Sequence, residues 1–365
     1  MSSPPTPTGP PPEITHLVRE RMEARIRRDW PRADALKAQI EEAGWRVVDH
    51  GNRTSVGPAA PPAVEVDGDL RYGSASPVPS RLDAPATNPW TVVVVASEAP
   101  ERLSRLLGAL RANAPAGTQV VAVANDPSDS QIAALRPEAP DRAPIGGIVP
   151  EVLRTSTHLG YAAALNIGLR RATGELVLVA DTTAWPTGDA ITPLAAALQD
   201  PAVAAAGGFG LVPAEAGPLR PNALLRSGSA AAADVPATPV VTALEGGWLA
   251  CRRSDYRDLG PLDEHFVTPA WLDVWWTLRL RAGAEPEGAE YVASEDDLEA
   301  TAGPAASVPV EVAEPGVHLP APRRAVRVEL PLEREVVAWP PDRSRLNRRN
   351  MYRVLDRYGW RDDLS

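Results

Sequence analysis

The sequence predicts an α/β fold: a doubly wound sheet preceded by a small helical hairpin. Two observations carry that expectation. From residue 89 onward, short continuous apolar runs alternate with amphipathic helical stripes, which is how parallel strands buried on both faces read between their crossover helices. Before that point the hydrophobic period is first helical and then close to two, which marks a separate small unit.

Taken in order, residues 1–12 are Pro-rich and uncharged and read as disordered, without the basic start and apolar core of a secretory signal. Over residues 13–56, Ile14, Leu17, Val18, Met22 and Ile26 recur at helical spacing. The pattern breaks at Trp30, Pro31 suits the first turn of a second helix carrying Ala35, Leu36 and Ile40, and Gly44 ends it. Trp45 to Val56 then alternates around His50, Gly51 and Asn52, as a β-hairpin does. Residues 57–88 are rich in Pro, Ala and Ser and read mainly as a linker, with VEVDGDLRYG suited to a strand pair.

The main domain is expected over residues 89–300. TVVVVA (91–96) is the first central strand, and Leu103, Leu106, Leu107 and Leu110 give the helix after it. QVVAVAN (119–125), a helix near 130–135, an extended piece leading to His158, a helix over 161–172, ELVLVA (175–180) and a helix over 191–198 continue the alternation. A doubly wound parallel sheet accommodates it, and ligands of such sheets sit beyond the carboxyl ends of the strands. Residues 301–365 are a C-terminal extension ending in a basic helix, RSRLNRRNMYRVLDRYGW. Its Arg343, Arg345, Arg348 and Arg349 suit either a diphosphate or a solvated face.

Composition excludes several classes. Cys251 is the single cysteine, so neither an intramolecular disulfide nor a thiolate metal cluster can form, and it reads as a small buried residue. A formal net charge of −10 argues against DNA and against RNA along the whole chain. No apolar run approaches the roughly 20 residues of a membrane span, so the expectation is a cytoplasmic protein, with peripheral contact at the membrane left open. The turn after the first strand, SEAPERL, lacks G-x-G-x-x-G, and no G-x-x-x-x-G-K-[ST] occurs, so neither a dinucleotide fingerprint nor a P-loop is present.

Three ordered segments carry a resemblance. The second strand ends at Asn125, Asp126, Pro127, Ser128; THLGYAAALNIGLRRATGELVLVAD follows; then EGGWLACRRSDYRDLGPLDEHF and AWLDVWWTLRLRAGA. Together, with Gly160, Asn166, Gly168, Ala172, Gly174 and Asp181 at matching positions, they resemble the family 2, GT-A-type glycosyltransferases over about two hundred residues. The resemblance implies a GT-A-like fold and transfer of a sugar from a nucleoside diphosphate sugar to a glycan or lipid-linked acceptor of the cell envelope. It implies nucleotide-sugar contacts from Ser97, Glu98, Asn125, Asp126, Gly160, Asn166, Asp181 and Thr183, and acceptor contacts from Gly247, Trp248 and Trp271. Asp273 falls at the second acidic position of the family's "E-D" pair, with Leu272 at the first, and is the expected base.

The chemistry explains those residue types. A leaving diphosphate develops negative charge, which a divalent cation or arginines stabilise. Relatives carry a second aspartate two residues after the position of Asp181, where this chain has Thr183; one carboxylate fewer weakens a hard oxygen site, so Mg²⁺ or Mn²⁺ at Asp181 stays open. An acceptor hydroxyl must lose a proton, and inversion in a single displacement needs one carboxylate base. Asp181 also suits capping of the next turn, Asp273 suits a helix start, and the tryptophans suit a core. Thr183 and Leu272 keep a second reading in view, a catalytically degenerate GT-A-like binding or scaffold protein.

The segment ITHLVRERMEARIRRDWPRADALKAQIEEAGWRVVDHGNRTSV resembles the small C-terminal helical module of cysteinyl-tRNA synthetases over about forty residues. None of the synthetase's catalytic machinery accompanies it. Its helix charges are mixed in sign, which favours docking to a protein partner through residues 13–56 over contact with RNA.

Overall fold

A computed structural model of the chain describes residues 10–50, 53–96, 99–135, 149–213, 224–227, 239–283, 321–335, 341–359, 361 and 364. Two units result, Met1–Pro77 and Val78–Ser365. In the first, α1 (Pro12–Ile26) and α2 (Trp30–Glu42) form the expected helical hairpin. Asp29 caps α2 by accepting the Arg32 amide at 3.1 Å, so the break between the helices is built from Asp29 and the proline after Trp30. Ile14 and Ile40 bury against Val47 of β1 (Trp45–His50), which pairs antiparallel with β2 (Arg53–Pro58). Val64 to Arg71 turns tightly at Asp67 and Gly68, both at positive φ, as a two-residue hairpin loop requires, and joins β3 (Ala63–Val66) to β4 (Asp69–Tyr72).

The second unit is a mixed α/β domain. Its strands are β5 (Asn88–Ala96), β6 (Thr118–Ala124), β7 (Glu151–Thr155), β8 (Gly174–Ala180), β9 (Ala184–Pro186), β10 (Val203–Gly207), β11 (Gly210–Pro213), β12 (Leu224–Ser227), β13 (Val240–Val241), β14 (Ala243–Leu244), β15 (Trp248–Arg252), β16 (Arg324–Arg327) and β17 (Leu332–Arg334). Its helices are α3 (Pro100–Asn113), α4 (Asp129–Leu135), α5 (Tyr161–Leu169), α6 (Thr192–Leu198), α7 (Arg253–Leu259), α8 (Leu272–Ala282) and α9 (Pro341–Tyr358).

Within this unit the main sheet runs β13-β16-β10-β15-β8-β5-β6-β7. The predicted parallel block is β8-β5-β6-β7, and the period-two geometry of β5 explains why its stretch from Val92 to Ala96 is apolar. Trp90, Val92, Val94 and Ala96 face α3 and α6, in one cluster with Leu103, Leu106, Leu110 and Leu194. Val93 lies on the opposite face, where Gly168 of α5 backs onto it and onto Val123. Helices cover both faces there, and the buried polar residue nearer the strand's start, Thr91, is bonded to Gln119 and to the Gly174 amide.

Three features differ from the sequence expectation. The sheet is mixed rather than purely parallel, because β15 runs antiparallel to both β8 and β10. The stretch 57–88, read mainly as a linker, carries the expected strand pair as the β3–β4 hairpin, but from Val78 onward it is packed into the larger unit: buried Arg253 donates to the Arg81 and Ala84 carbonyls at 2.9 Å each, and Arg170 and Arg171 bond the carbonyls of Val78 and Pro79. Residues 321–335, read as extension, supply β16 to the main sheet, parallel to β10, and β17, which pairs with β9. Apolar positions in short arginine-rich strands are too few to announce them. No helix among the described residues is long and apolar enough to cross a membrane.

Removing the guanidinium that ties down residues 81–84 strips three carbonyls of their donor. Arg253→Met is expected to cost about 2 kcal/mol and to speed amide exchange over 80–86 before the rest of the domain, read by urea denaturation and hydrogen exchange. Unchanged exchange there would remove the arginine from this role.

Candidate functional site

The parallel strands β5, β6 and β8 end on one rim, and each expected acidic residue of the first half follows one of those ends. Asp126 lies two residues past β6, exposed, at φ 52, with its amide bonded to Thr155 Oγ1 at 2.9 Å. Asp181 follows β8 directly, and its Oδ1 accepts the Thr183 amide at 2.7 Å. Positive φ in non-glycine residues recurs around the larger unit's turns, at Ala99, Asp126 and Trp271, and strain of this kind persists only where neighbouring structure enforces it. Asn347 and Asn350 of α9 supply that enforcement for Trp271: Thr268 Oγ1 donates to Asn347 Oδ1 at 3.1 Å, and Asn350 Nδ2 donates to Thr268 Oγ1 and to the Ala270 carbonyl at 3.0 and 2.9 Å.

Gly247 draws the second half of the site to the first. Its carbonyl accepts the Asp181 amide at 2.6 Å, and its own amide donates to Asp273 Oδ2 at 2.8 Å. It stands at φ 72, and a Cβ there would lie 2.2 Å from the Asp181 Cβ, so only glycine fits. One residue, through the peptide groups on either side of its Cα, therefore brings the turn after β8 and the first turn of α8 together. Asp273 does not bond the free amides of its own helix, the alternative its position suggested.

Asp273 is 9% exposed, and its pKa is pushed up to about 7. Burial is the main cause; the Gly247 amide works against it, Asp181 and Glu245 add to it, and Arg334 opposes it. Tyr161, at the start of α5, faces the same pair: burial first, then Asp181 and Asp273, raise its phenol well above its ordinary value. Asp181, Asp273, Glu245, Tyr161 and Arg334 thus share one electrostatic environment. A carboxylate with a pKa near neutrality can take a proton in a reaction step and hold it.

Other expected site residues have structural employment. Asn125 is 1% exposed; its Nδ2 donates to the Leu159 carbonyl and its Oδ1 accepts the Leu159 amide, so it clamps the approach to α5. Asn166 is fully buried and spends its amide on the Leu262 carbonyl and Glu264 and its oxygen on the Leu262 amide and the Tyr256 hydroxyl. Trp248, expected against an acceptor, is fully buried in the core with Nε1 on the Ala184 carbonyl. In the structure these three side chains are buried, with polar atoms bonded within the protein. Trp275 and Trp276 are core, against Phe266 and Tyr256, whereas Trp271 keeps partial exposure. Gly160 precedes α5 beside Val267, and the first amides of α5 are bonded to the Val267 and Phe266 carbonyls. Buried Cys251, its thiol pushed well up by burial, matches the structural reading. Arg348 and Arg349 are exposed; Ser97, Glu98, His318 and the side chains of Arg343 and Arg345 lie outside the described residues.

The donor set at Asp181 is thin for a resident divalent cation. One carboxylate oxygen is on the Thr183 amide, the second position is a hydroxyl, and among the described residues no group of three His, Cys, Asp or Glu side chains is placed to hold a metal ion. A cation there would draw most of its ligands from substrate phosphates and water. Arg334 and Glu245 were not singled out from the sequence; nothing in the local pattern marks them, since their electrostatic influence on Asp273 arises from the pairing of β17 with β9 and from the turn after β14.

Residues 91–260 match the family described as glycosyl transferase family 2. No curated protein matches the chain. Among solved structures, the mannosyltransferase PcManGT from Pyrobaculum calidifontis, in complex with GDP-Man and Mn²⁺, is 21% identical at a TM-score of 0.41, with 56% of this chain and 59% of that chain covered. GalNAc-T7 with UDP, GalNAc and Mn²⁺ is 17% identical at 0.40, covering 55% and 41%. TarS 1–349 of S. aureus is 14% identical at 0.39, covering 54% and 56%. The chain thus spans less than two thirds of the length of each.

Asp273 holds a proton to about pH 7 in the fold against an ordinary value of 3.8, so the folded state binds the extra proton between those limits. Stability is therefore greatest below about pH 4 from this group, declines as pH rises, and is level above about 7, a loss of about 4 kcal/mol at about 1.4 per pH unit. Asp273→Asn is expected to flatten that segment of a urea-midpoint profile; parallel profiles for the two proteins would contradict the shift. Asn166→Ala is expected to cost about 3 kcal/mol by stranding the Leu262 peptide groups and Tyr256 hydroxyl, without changing ligand affinity by more than the fold loses.

Proposed function

We infer that this chain, whose residues 91–260 are a family 2 glycosyltransferase domain, transfers a glycosyl group from a nucleoside diphosphate sugar to a hydroxyl of a glycan or lipid-linked cell-envelope acceptor, with inversion. The observation that supports the reading is that Gly247, beside the carboxyl ends of the parallel strands, bonds the Asp181 backbone through its carbonyl and the Asp273 carboxylate through its amide. In the proposed step the acceptor oxygen attacks the anomeric carbon as its proton passes to Asp273. The bond from that carbon to the diphosphate breaks, and the electron pair leaves on the phosphate oxygen. Asp181 and Asp126 face the donor and Trp271 the acceptor; the base and sugar remain those of a nucleoside diphosphate sugar as a class. Action at the cytoplasmic side of the membrane and protein docking through residues 13–56 are carried forward from the sequence as parts of the same proposal.

A base with a pKa near 7 works only when unprotonated, so kcat/KM is expected to rise with pH and level off above about 7. Asp273→Asn is expected to lower kcat by at least roughly 10² while calorimetry with UDP, GDP or dTDP compounds still reports donor binding. Full activity in that variant would remove Asp273 as the base. A second reading, a GT-A-like binding or scaffold protein without catalysis, is favoured by Thr183 and the buried Leu272 standing where relatives carry carboxylates. Absence of binding to any sugar nucleotide, with or without Mn²⁺, would select it.

A further inference from the structure

We propose that Arg334 is the group that meets the charge of the donor's diphosphate, in the place where relatives of this chain would set a second carboxylate and its cation; the inference rests on the transferase reading above. Arg334 ends β17, opposite Ala184 in the pairing with β9, and so stands next to the turn that carries Asp181 and Thr183. Its guanidinium lies against Gly246: a Cβ on that glycine would sit 2.9 Å from Nη1 and 3.0 Å from Cζ. It is also centred 4.8 Å from the Phe209 ring, which fixes the plane of the fork without consuming its donors.

The residue after it, Glu335, is paired, whereas among the described residues Arg334 has no ion-pair partner. Arg102 is held bidentate by Glu335, at 3.0 Å from Nε to Oε2 and 2.6 Å from Nη2 to Oε1, and Arg105 reaches the same carboxylate at 4.0 Å. No described carboxylate lies within ion-pair distance of the Arg334 guanidinium. The anchoring of its neighbour makes the position firm: the Glu335 amide donates to the Thr183 carbonyl at 2.8 Å, and the Glu335 side chain is tied to α3. A partly exposed guanidinium, held between Gly246 and Phe209, therefore stands beside the turn that carries Asp181 and Thr183, on the side of the site whose other charges are carboxylates. Planar bidentate donors match phosphate oxygens, and the charge needed grows as the bond to the anomeric carbon breaks and its electron pair passes to the diphosphate.

Calorimetry on the full chain with UDP, GDP and the matching monophosphates, in EDTA and in Mn²⁺, tests the assignment. Arg334→Ala is expected to weaken diphosphate binding in EDTA by about 10- to 100-fold and leave monophosphate binding within about threefold, with Arg334→Lys recovering part of the loss. A retained thermal midpoint shows the variant folded; Arg334→Gln, which keeps the stem on Phe209, gives the same comparison if alanine does not fold. Equal loss for mono- and diphosphates, or none for either, overturns Arg334 while leaving the transferase reading standing. Wild-type protein that binds none of these nucleotides overturns both.

Discussion

One residue governs this domain. Gly247 accepts from the backbone that leaves β8 through its carbonyl and donates to the carboxylate that opens α8 through its amide, so two chain segments about ninety residues apart in sequence are joined across the two peptide groups that flank a single Cα. A side chain does not fit at that position, because the residue sits at positive φ with Asp181 against it. The antiparallel strand β15 delivers this residue: its pairing register on β8 puts Trp248 opposite Ala180, which leaves Gly247 one step beyond the strand end, beside Asp181. Packing beneath the rim, with Trp248 wedged fully into the core, keeps that register from slipping.

The Gly247 amide also sets the electrostatics. Donating to Asp273, it keeps a buried carboxyl from drifting further toward its neutral form, while Asp181 and Glu245 press the other way and Arg334 relieves part of the load. Removing water from around a carboxylate is costly, and the fold bears that cost at the rim, whereas buried Thr91, Asn166 and Arg253 are bonded within the protein. Destabilisation concentrated at one rim, with a rigid sheet below it, is the usual division of labour between site and scaffold.

What could be read from residues alone follows from which forces act locally. Double-sided burial leaves an apolar run, so the parallel strands were visible, and turn chemistry marked the hairpins. Asp181 and Asp273 could be placed by resemblance. The direction of β15 could not, because WLACR has the same pattern whichever way it runs. For Asn125, Asn166 and Trp248 the residue type leaves two uses open: a side chain with several polar or ring atoms can bind a ligand or brace a loop, and only coordinates tell which of its atoms are bonded within the fold. Arg334 left no trace, because its neighbourhood is assembled from strands far apart in sequence.

The placement of β16 has a consequence for biosynthesis. It lies between β13 and β10, its partners some eighty and one hundred and twenty residues earlier, so the sheet's far side is left with a gap until the ribosome has delivered residues 324–327. Until then β10 and β13 expose unsatisfied edges, and non-local closure of this kind is slow. A nascent chain halted before that point would hold its first helices and parallel strands in place yet have an open seam, a form in which chaperone capture or edge-to-edge association competes with completion.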